Sequence, residues 1–555
     1  MYENFIYFTL LNTMPAVMMK SKWMSAENGV CLIIIAYALF YTLFSLFGFH
    51  LERIPGDLAD SRLNNYLLEH GYRFIRGLDD SFWSPPFNFP EKNMLAYSDN
   101  FIGQLPFYST FRFIGLNRES TYQGWLILTY LLNFFICAWV LFRLGANKPA
   151  AFLGAYLFAF SAAILDQSNH TQLTSRYPVA LAFYFLIRLF QEPRHLYLLF
   201  FLGSVVLQFL NSIYLGFLLS LSLFFFSMVY LILYRKELSF APLLKKKELL
   251  FAGVYLVLSG LILRSFFGPY MRHARSGNFT PAKRDVFESL PRWTSYYPTS
   301  PNILSWKFLA GRPDGLVNWW NHWIFPGGIV YACMLTLLVV LIYKVFRRNK
   351  VAWSSHIKLA ATLFGAMLLL ILFTFRYHNF SLYECIYVIP GFNSMRDLCR
   401  VVNIEFFLYA AISALIFTWI GEKIRNGLFR VGVMLLLFLV LIFDQRFDMN
   451  NVGTYLKSDA IVASSKFAEK VKRHPDYKKY TAIAYIPGEI APQPIIHLDA
   501  MLGSQELGMK TINSYTGTCS SWYCEFAGKH DLTSLKSWLE HAGLPMDSTR
   551  ILLIR

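Results

Sequence analysis

Two carboxylates with the spacing for acid–base chemistry lie in a short segment that follows the first long apolar run of the chain. The segment reads Gly56-Asp57-Leu58-Ala59-Asp60-Ser61-Arg62. If this turn is helical, Asp57 and Asp60 face one side, where one carboxylate could act as a general base while the other tunes it or binds a metal ion. The alternative is structural, because an aspartate at a helix N-terminus accepts backbone N–H bonds and contributes about 1 kcal/mol of stability. The spacing alone leaves both interpretations open.

Two arginines near residue 400 have the charge and the spacing to bind a phosphate. Arg396 and Arg400 are four residues apart, so in a helix they lie on one face. There they could clamp a phosphate with planar guanidinium groups, which the point charge of a lysine could not do in the same bidentate way. The alternative is that they anchor a helix among lipid headgroups.

Further polar and aromatic side chains in the same regions are candidates for binding a substrate. Asp99 precedes a short apolar segment, where it either caps a helix or adds a carboxylate to a site at the bilayer boundary. His170 and Gln172 lie in a short polar segment from which they could meet the first loop. The substrate-binding candidates are Arg62, Trp83, Tyr97, Asp99, His170 and Gln172. Asp57, Asp60 and Asp99 are also candidates for holding a metal ion, although no spacing of His, Asp and Glu is diagnostic of a metal site.

Transmembrane helices must position these side chains. Of the 555 residues, 55% are hydrophobic and only 15% are charged, whereas about 25% are charged in a usual soluble domain. Apolar runs recur that are long enough to cross about 30 Å of hydrocarbon. The eleven predicted spans are about 29–48, 122–142, 149–165, 177–191, 195–211, 213–234, 248–267, 325–345, 357–375, 402–420 and 429–443. The net charge of +17 lies mainly in short loops and not on a stripe, which argues against nucleic-acid binding.

Loop charges predict the orientation of the chain. With residues 1–28 in the cytoplasm, the short loops rich in lysine and arginine fall inside, as the positive-inside rule requires. The transmembrane module of 29–444 then places three large loops outside the cytoplasm, 49–121, 268–324 and 376–401. The apolar segment 101–116 is short and contains Pro106, so it is predicted to lie at the membrane surface and not to cross.

The tail, 445–555, also falls outside the cytoplasm. It mixes helix-like sequence with strand-like runs at Tyr480–Ile486 and Arg550–Ile554, and we expect a small α/β domain that binds an acceptor or caps the loops. Four cysteines lie in external segments, as the pairs Cys385/Cys399 and Cys519/Cys524. Each pair could form a disulfide in an oxidising compartment, and free thiols are the equal alternative.

Four short motifs follow one another on the same predicted side of the membrane. They are GDxxDxR at 56–62, YSD at 97–99, HxQ at 170–172, and PGFxxxR with a second arginine at 390–400. Motifs and layout over about 29–444 together resemble the C-type (GT-C) superfamily of polytopic membrane glycosyltransferases. That superfamily includes protein mannosyltransferases and aminoarabinose transferases, and the motifs resemble its less characterised bacterial branch. The segment 513–517 is similar to an Asn-Gly-Tyr-Ser-Gly turn of such proteins, with Ser514 in place of the first glycine.

The resemblance implies transfer of a sugar from a polyprenyl-phosphate carrier to a glycan, lipid or protein outside the cytoplasm, in a bacterial inner membrane. It implies that Asp57 or Asp60 deprotonates the acceptor. Arg396 and Arg400, or a divalent ion such as Mg²⁺ or Mn²⁺, would stabilise the departing lipid phosphate. The competing interpretations are a lipid-linked glycan transporter or flippase, which would place ionisable groups within the spans, and a non-enzymatic protein of cell-envelope assembly.

Overall fold

Helices occupy all eleven of the predicted spans. The computed structural model describes residues 26–275, 281–312, 316, 318–346, 353–487, 493–516, 521–529, 531–544 and 550–555. Within these residues, nine helices are long and apolar enough to cross a membrane. They are Ala26–Phe47, Arg118–Arg143, Lys148–Asp166, Ile213–Leu233, Lys246–Arg275, Gly328–Phe346, Ser355–Thr374, Leu398–Glu422 and Gly427–Asp444. The chain is therefore an integral membrane protein.

Two of the predicted spans form shorter helices. Tyr177–Gln191 has 15 residues and His195–Asn211 has 17, which correspond to lengths of about 22 and 26 Å. Both are shorter than the roughly 30 Å of a hydrocarbon core. Nine of the eleven predicted crossings thus meet the length and hydropathy of a span, and the total of eleven stays a prediction.

The remaining helices lie outside the spans. They are Asp60–Ile75, Leu105–Phe113, Lys283–Glu288, Glu384–Tyr387, Lys457–Lys472, Gln493–Leu507, Ser521–Lys529 and Leu532–His541. Leu105–Phe113 lies within the segment predicted to stay at the membrane surface. Its nine residues extend about 14 Å, too short to cross. The Phe113 ring packs edge-on against Tyr72 of the Asp60–Ile75 helix, with centroids 5.4 Å apart.

Val402–Glu422 is the central helix of the bundle. Every residue of 402–418 is buried, as expected for a helix that is apolar on all sides. It packs most extensively against three other spans, Lys148–Phe160, Gly328–Phe346 and Ser355–Thr374. The buried Arg176 guanidinium donates to Asn403 Oδ1 at 3.1 Å and to the Phe158 carbonyl at 3.0 Å. This packing fixes the start of the central helix, directly after Arg400.

Two small sheets contain strands of the tail, and one of them joins the tail to the first loop. Strand β1, Arg53–Pro55, pairs antiparallel with β2, Thr454–Leu456, so the first loop and the start of the tail lie at the same end of the bundle. Three parallel strands follow in the order β4-β3-β5. They are β3, Ala482–Tyr485, β4, Lys510–Thr511, and β5, Ile551–Ile554. Strands β3 and β5 lie within the two strand-like runs of the sequence.

The tail docks on the first-loop helix, Asp60–Ile75, through buried polar contacts. Arg62, only 2% exposed, donates from Nη2 to Asp499 Oδ1 at 2.6 Å. Gln505 Nε2 donates to the Tyr66 carbonyl at 3.1 Å. Arg62, a predicted substrate-binding residue, is thus placed at the contact between the loop and the tail. The boundary of a separate tail domain near residue 445 stays a prediction.

Replacing Arg62 with methionine is expected to destabilise this docking. The change leaves the Asp499 carboxylate without its cation in a mostly buried contact, and breaking such a pair costs on the order of 3 kcal/mol. We expect a lower free energy of unfolding in denaturant titration of the protein in detergent, and faster proteolysis of the tail. Lys479→Met, which breaks the exposed pair with Asp476, should change little. An equal effect of the two substitutions would contradict the structural role of Arg62.

Candidate active site

The first-loop turn is shaped by a glycine and capped by Asp57. Gly56 has a φ of +119°, and a Cβ there would lie 2.4 Å from the Cβ of Ser61, so only glycine fits. Asp57 Oδ1 accepts hydrogen bonds from the N–H groups of Ala59 at 3.1 Å and Ser61 at 3.2 Å. The helix begins only at Asp60. Asp57 and Asp60 therefore do not share a helical turn, and Asp57 has the capping contacts of the structural alternative.

Asp60 is the point at which three distant segments meet. Its Oδ1 accepts a hydrogen bond from the Tyr515 hydroxyl at 2.9 Å, and its Oδ2 lies 3.3 Å from His170 Nδ1. Burial by itself would raise the pKa of the Asp60 carboxyl. The His170 ring, the Tyr515 hydroxyl and the charge of Arg400 together hold this pKa below its ordinary value. Asp60 is therefore ionised at neutral pH.

Asp57 has a pKa shifted in the opposite direction. Burial raises the pKa of the Asp57 carboxyl, and the negative charge of Asp60 raises it further, against the hydrogen bonds from the backbone. When the environments of two neighbouring acids shift their pKa values apart, the acid with the higher pKa is the candidate base and the other stays charged. Of the two, Asp57 has the greater affinity for a proton.

The segment of His170 is held against the first-loop helix by hydrogen bonds. Asn64 Nδ2 donates to Gln172 Oε1 at 2.9 Å and to Thr171 Oγ1 at 2.8 Å. The Thr171 hydroxyl also lies 2.6 Å from the Tyr122 hydroxyl. The structure thus brings His170 to the carboxylates and engages the side-chain oxygen of Gln172 in holding the segment.

Asp99 caps a membrane helix. Its Oδ1 accepts from the N–H of Ile213 at 2.8 Å, and its Oδ2 accepts from the Ser212 hydroxyl at 3.3 Å. The capped helix is Ile213–Leu233, and not the apolar segment that directly follows Asp99 in the sequence. Burial raises the pKa of Asp99 to about 6, although these hydrogen bonds and the charge of Arg400 oppose the shift.

The positive charge of Arg400 interacts electrostatically with two of the candidate carboxylates, those of Asp60 and Asp99. Its guanidinium stacks over the Tyr214 ring, 4.5 Å from the centroid, and its Nε lies 3.6 Å from Asp397 Oδ2. Within the described part of the chain this Nε makes no hydrogen bond. The site therefore contains a guanidinium whose Nε–H group is available as a donor, close to the carboxylates of Asp60 and Asp99.

Arg396 does not join Arg400 on a helical face. Arg400 lies in the 3₁₀ turn Leu398–Val401, which is preceded by the extended residue Asp397, and Arg396 precedes that residue. The expectation that Arg396 and Arg400 lie on one helical face is therefore wrong, because 396–397 is not helical. The Arg396 N–H donates to the Tyr214 hydroxyl at 2.8 Å, while its side chain lines a separate cavity.

The two aromatic candidates contact neighbours of their own. Trp83 packs edge-on against Tyr270, with centroids 5.6 Å apart. The Tyr97 hydroxyl donates to Glu91 Oε1 at 2.9 Å, and its ring lies 3.8 Å from that of His273. Their binding roles stay predictions.

The structure decides between disulfide and free thiols for the pair Cys385/Cys399. Cys385 is an exposed free thiol and Cys399 is a buried free thiol, so the free-thiol alternative holds for this pair. Cys524 is disulfide-bonded, and its predicted partner, Cys519, lies outside the described residues.

The carboxylates do not by themselves form a cluster of metal ligands. Among the residues that the structure describes, no three His, Cys, Asp or Glu side chains group as ligands. Both oxygens of Asp60 face protein partners, and both oxygens of Asp99 accept hydrogen bonds. Mg²⁺ usually keeps several waters and is held through one or two carboxylates together with substrate phosphates. The metal-binding role of Asp57, Asp60 and Asp99 therefore stays a prediction.

Similarity to solved structures decides the fold. No protein-family model and no curated protein matches the chain. The apo oligosaccharyltransferase of Archaeoglobus fulgidus matches it with a TM-score of 0.50 and 13% identity, over 95% of this chain and 69% of that one. The chain has a GT-C fold. At this identity the likeness establishes the fold alone, and it confirms the architecture that the motifs predicted.

Two further structures of the archaeal enzyme also match. AglB from Archaeoglobus fulgidus, in complex with an inhibitory peptide and a dolichol-phosphate, matches with a TM-score of 0.44. The oligosaccharyltransferase tethered to an acceptor peptide with the NVT sequon matches with a TM-score of 0.49. Each is 13% identical to this chain, and the matched region spans 94% of this chain and 68% of the archaeal one.

The sequence did not predict the contact between Tyr515 and Asp60. The similarity of 513–517 to a known turn singled out this segment but gave Tyr515 no role. Asp60 and Tyr515 are 455 residues apart, and no periodicity or spacing connects them.

Proposed function

We propose that the protein is a membrane glycosyltransferase. It moves a sugar from a polyprenyl-phosphate-linked donor to a glycan, lipid or protein acceptor on the extracytoplasmic face of a bacterial inner membrane. The observation that carries the proposal is the pair of acids Asp57 and Asp60, held by backbone N–H groups, Tyr515 and His170 beside the partly buried charge of Arg400. The shared fold of an oligosaccharyltransferase supports it.

Asp57 is the general base in this mechanism. Its Oδ1 is held by two backbone N–H groups, which fixes the carboxylate, and the nearby charge of Asp60 increases its proton affinity. A base acts best when its pKa approaches the working pH. Asp57 takes the proton of the acceptor hydroxyl while the hydroxyl oxygen attacks the anomeric carbon. The bond from that carbon to the lipid phosphate breaks, and the phosphate oxygen takes the electron pair.

Arg400 stabilises the charge that develops on the departing phosphate. A guanidinium donates along a planar fork that suits phosphate oxygens, and the Arg400 Nε has no hydrogen bond to give up within the described residues. A fixed charge in a buried site stabilises a transition state more strongly than one in water. Arg396 lies at another cavity, so the phosphate role falls to Arg400 alone.

Asp57→Asn is expected to abolish sugar transfer without unfolding the protein. Asparagine keeps an oxygen that caps Ala59 and Ser61, but it cannot take a proton. Loss of a general base typically lowers the rate by 10²- to 10⁴-fold. Transfer is measured with purified protein, radiolabelled undecaprenyl-phosphate sugars and membrane extract as the source of acceptors. Asp60→Asn should also transfer more slowly, since it removes the charge that adds to the effect of burial in raising the pKa of Asp57.

The control for these variants is Asp80→Asn, which changes an exposed carboxylate of the same loop. It should transfer at the wild-type rate, and all three variants should unfold at similar temperatures. Transfer by folded Asp57→Asn at the wild-type rate would show that Asp57 is not the base. Donor binding without transfer by any form, wild type included, would support transport in place of catalysis.

Tyr515→Phe is expected to move the acid limb of kcat/KM to higher pH. The Tyr515 hydroxyl stabilises the ionised form of Asp60, so its removal raises the pKa of Asp60. The two acids titrate as a coupled pair, so a higher proton affinity of Asp60 raises the apparent pKa of the pair, and activity is lost earlier as the pH falls. A merely structural role would lower the rate at every pH alike. Tyr480→Phe serves as the control, because Tyr480 lies in the tail away from the carboxylates.

A further inference from the structure

One arginine lies on the outer, lipid-facing side of a membrane helix. Arg264 belongs to the helix Lys246–Arg275, in which only 11% of the residues of the apolar stretch are buried inside the protein. The Arg264 side chain is exposed. Phe266, which is only 4% exposed, lies almost opposite Arg264 around the helix, because successive residues are about 100° apart. Arg264 therefore points away from the helix bundle.

Arg264 also lies within the depth of the membrane and not at the end of its helix. Glu248, near the start of the helix, pairs with His195 at the start of the neighbouring helix, with 2.7 Å between Oε2 and Nδ1. Arg264 is 16 residues further along the chain, which is about 24 Å in a helix, whereas the hydrocarbon of a bilayer is about 30 Å thick. Near the other end, the Tyr270 hydroxyl donates to the Ser98 carbonyl at 2.9 Å, beside the candidate active site. Arg264 thus falls in the half of the bilayer on the side of that site.

A second arginine extends back toward the first. Arg264, Gly268 and Arg272 follow one another at intervals of four residues, which places them along one side of the helix. Side chains of a helix lean toward its N-terminus. Accordingly, Arg272 Nη1 lies 3.6 Å from the point that a Cβ on Gly268 would occupy. The Arg272 guanidinium therefore lies over Gly268, one turn from Arg264.

No acidic side chain compensates these two charges within the described residues. Neither guanidinium forms an ion pair or a hydrogen bond there, and the helix contains no acidic residue after Glu248. A cation at membrane depth is unfavourable unless a partner compensates it. The two arginines therefore call for an anion that reaches them from the lipid.

A second copy of this chain does not supply that anion. Gly260, one turn from Arg264, has nothing within 4 Å of the point that a Cβ would occupy, and exposed small residues suit close packing of membrane helices. However, a two-fold axis along the membrane normal brings the same residue of two copies together. Pairing through this face would place Arg264 against its own copy, and the like charges oppose that contact.

We propose that Arg264 and Arg272 bind the phosphate of an anionic phospholipid such as phosphatidylglycerol. A guanidinium donates along a planar fork that suits phosphate oxygens. The exposed side chains of Val257 and Leu261 lie on the same face, toward the middle of the bilayer, where acyl chains would contact them. A zwitterionic headgroup is a poorer match, because the arginines repel its ammonium group. This inference does not depend on the proposed function.

The test measures lipid binding to the purified, delipidated full-length protein by native mass spectrometry. Phosphatidylglycerol and phosphatidylcholine with the same acyl chains are compared. For the wild type we expect phosphatidylglycerol to bind about tenfold more tightly, as a charge-assisted contact of modest strength would give. Arg264→Gln should lose most of this preference, and Arg272→Gln should reduce it as well. A wild type without the preference would overturn the proposal.

The matched control is Arg473→Gln, which removes one positive charge from an exposed position in the tail. It should bind both lipids as the wild type does. Equal loss of the preference in Arg264→Gln and Arg473→Gln would show that net charge attracts the lipid, and the site would be wrong. All variants should unfold at similar temperatures in detergent without lipid. If Arg264→Gln does not fold, Arg272→Gln decides the outcome in the same way.

Glycerol phosphate distinguishes a membrane lipid from a phosphate in water. It has the phosphate but no acyl chains, so an excess of it should not displace phosphatidylglycerol from the wild type. Displacement would mean that the arginines bind phosphate from solution, which contradicts the assignment to a lipid. None of these outcomes bears on the proposed glycosyltransferase, because neither arginine contacts the carboxylates of the candidate active site.

Discussion

The carboxylate of Asp60 is the constraint on which the site depends. A partly buried negative charge is unfavourable unless hydrogen bonds and opposite charges compensate it. Here the compensation comes from His170, Tyr515 and Arg400, which lie in three segments far apart in the sequence. The lowered pKa of Asp60 therefore depends on all three, and the charge of Asp60 raises the pKa of Asp57. The properties of the acid pair thus depend on how the loops and the tail assemble.

The rest of the fold holds those three segments where Asp60 needs them. The buried helix Val402–Glu422 fixes the chain directly after Arg400. The pairing of strands β1 and β2 joins the first loop to the tail, and the Arg62–Asp499 pair docks the tail on the helix that begins with Asp60. The tail therefore contributes a side chain to the site through Tyr515, and a predicted substrate-binding residue, Arg62, is a docking residue.

Much of the architecture was accessible from the sequence, because hydrophobicity is a local property. All eleven apolar runs are helices, and the GT-C fold that the four motifs predicted is confirmed. The length of two of these helices does not decide whether they cross the membrane, since 15 and 17 residues are marginal for a bilayer. The expected shared face of Arg396 and Arg400 was wrong, because a spacing of four residues implies a shared face only where the backbone is helical throughout, and 396–397 is not.

The sequence by itself determined that this is a membrane protein with acidic, basic and aromatic residues gathered in a few loops. The reason is that the length of an apolar run and the types of neighbouring residues are properties of the local sequence. Tertiary structure alone decided which of these residues meet. It made Asp57 a helix cap with a raised pKa, gave Asp60 a lowered one, turned Asp99 toward the helix Ile213–Leu233, and separated Arg396 from Arg400. The physical reason is that a pKa and a hydrogen bond depend on neighbours in space, and those neighbours come from segments that no local pattern connects.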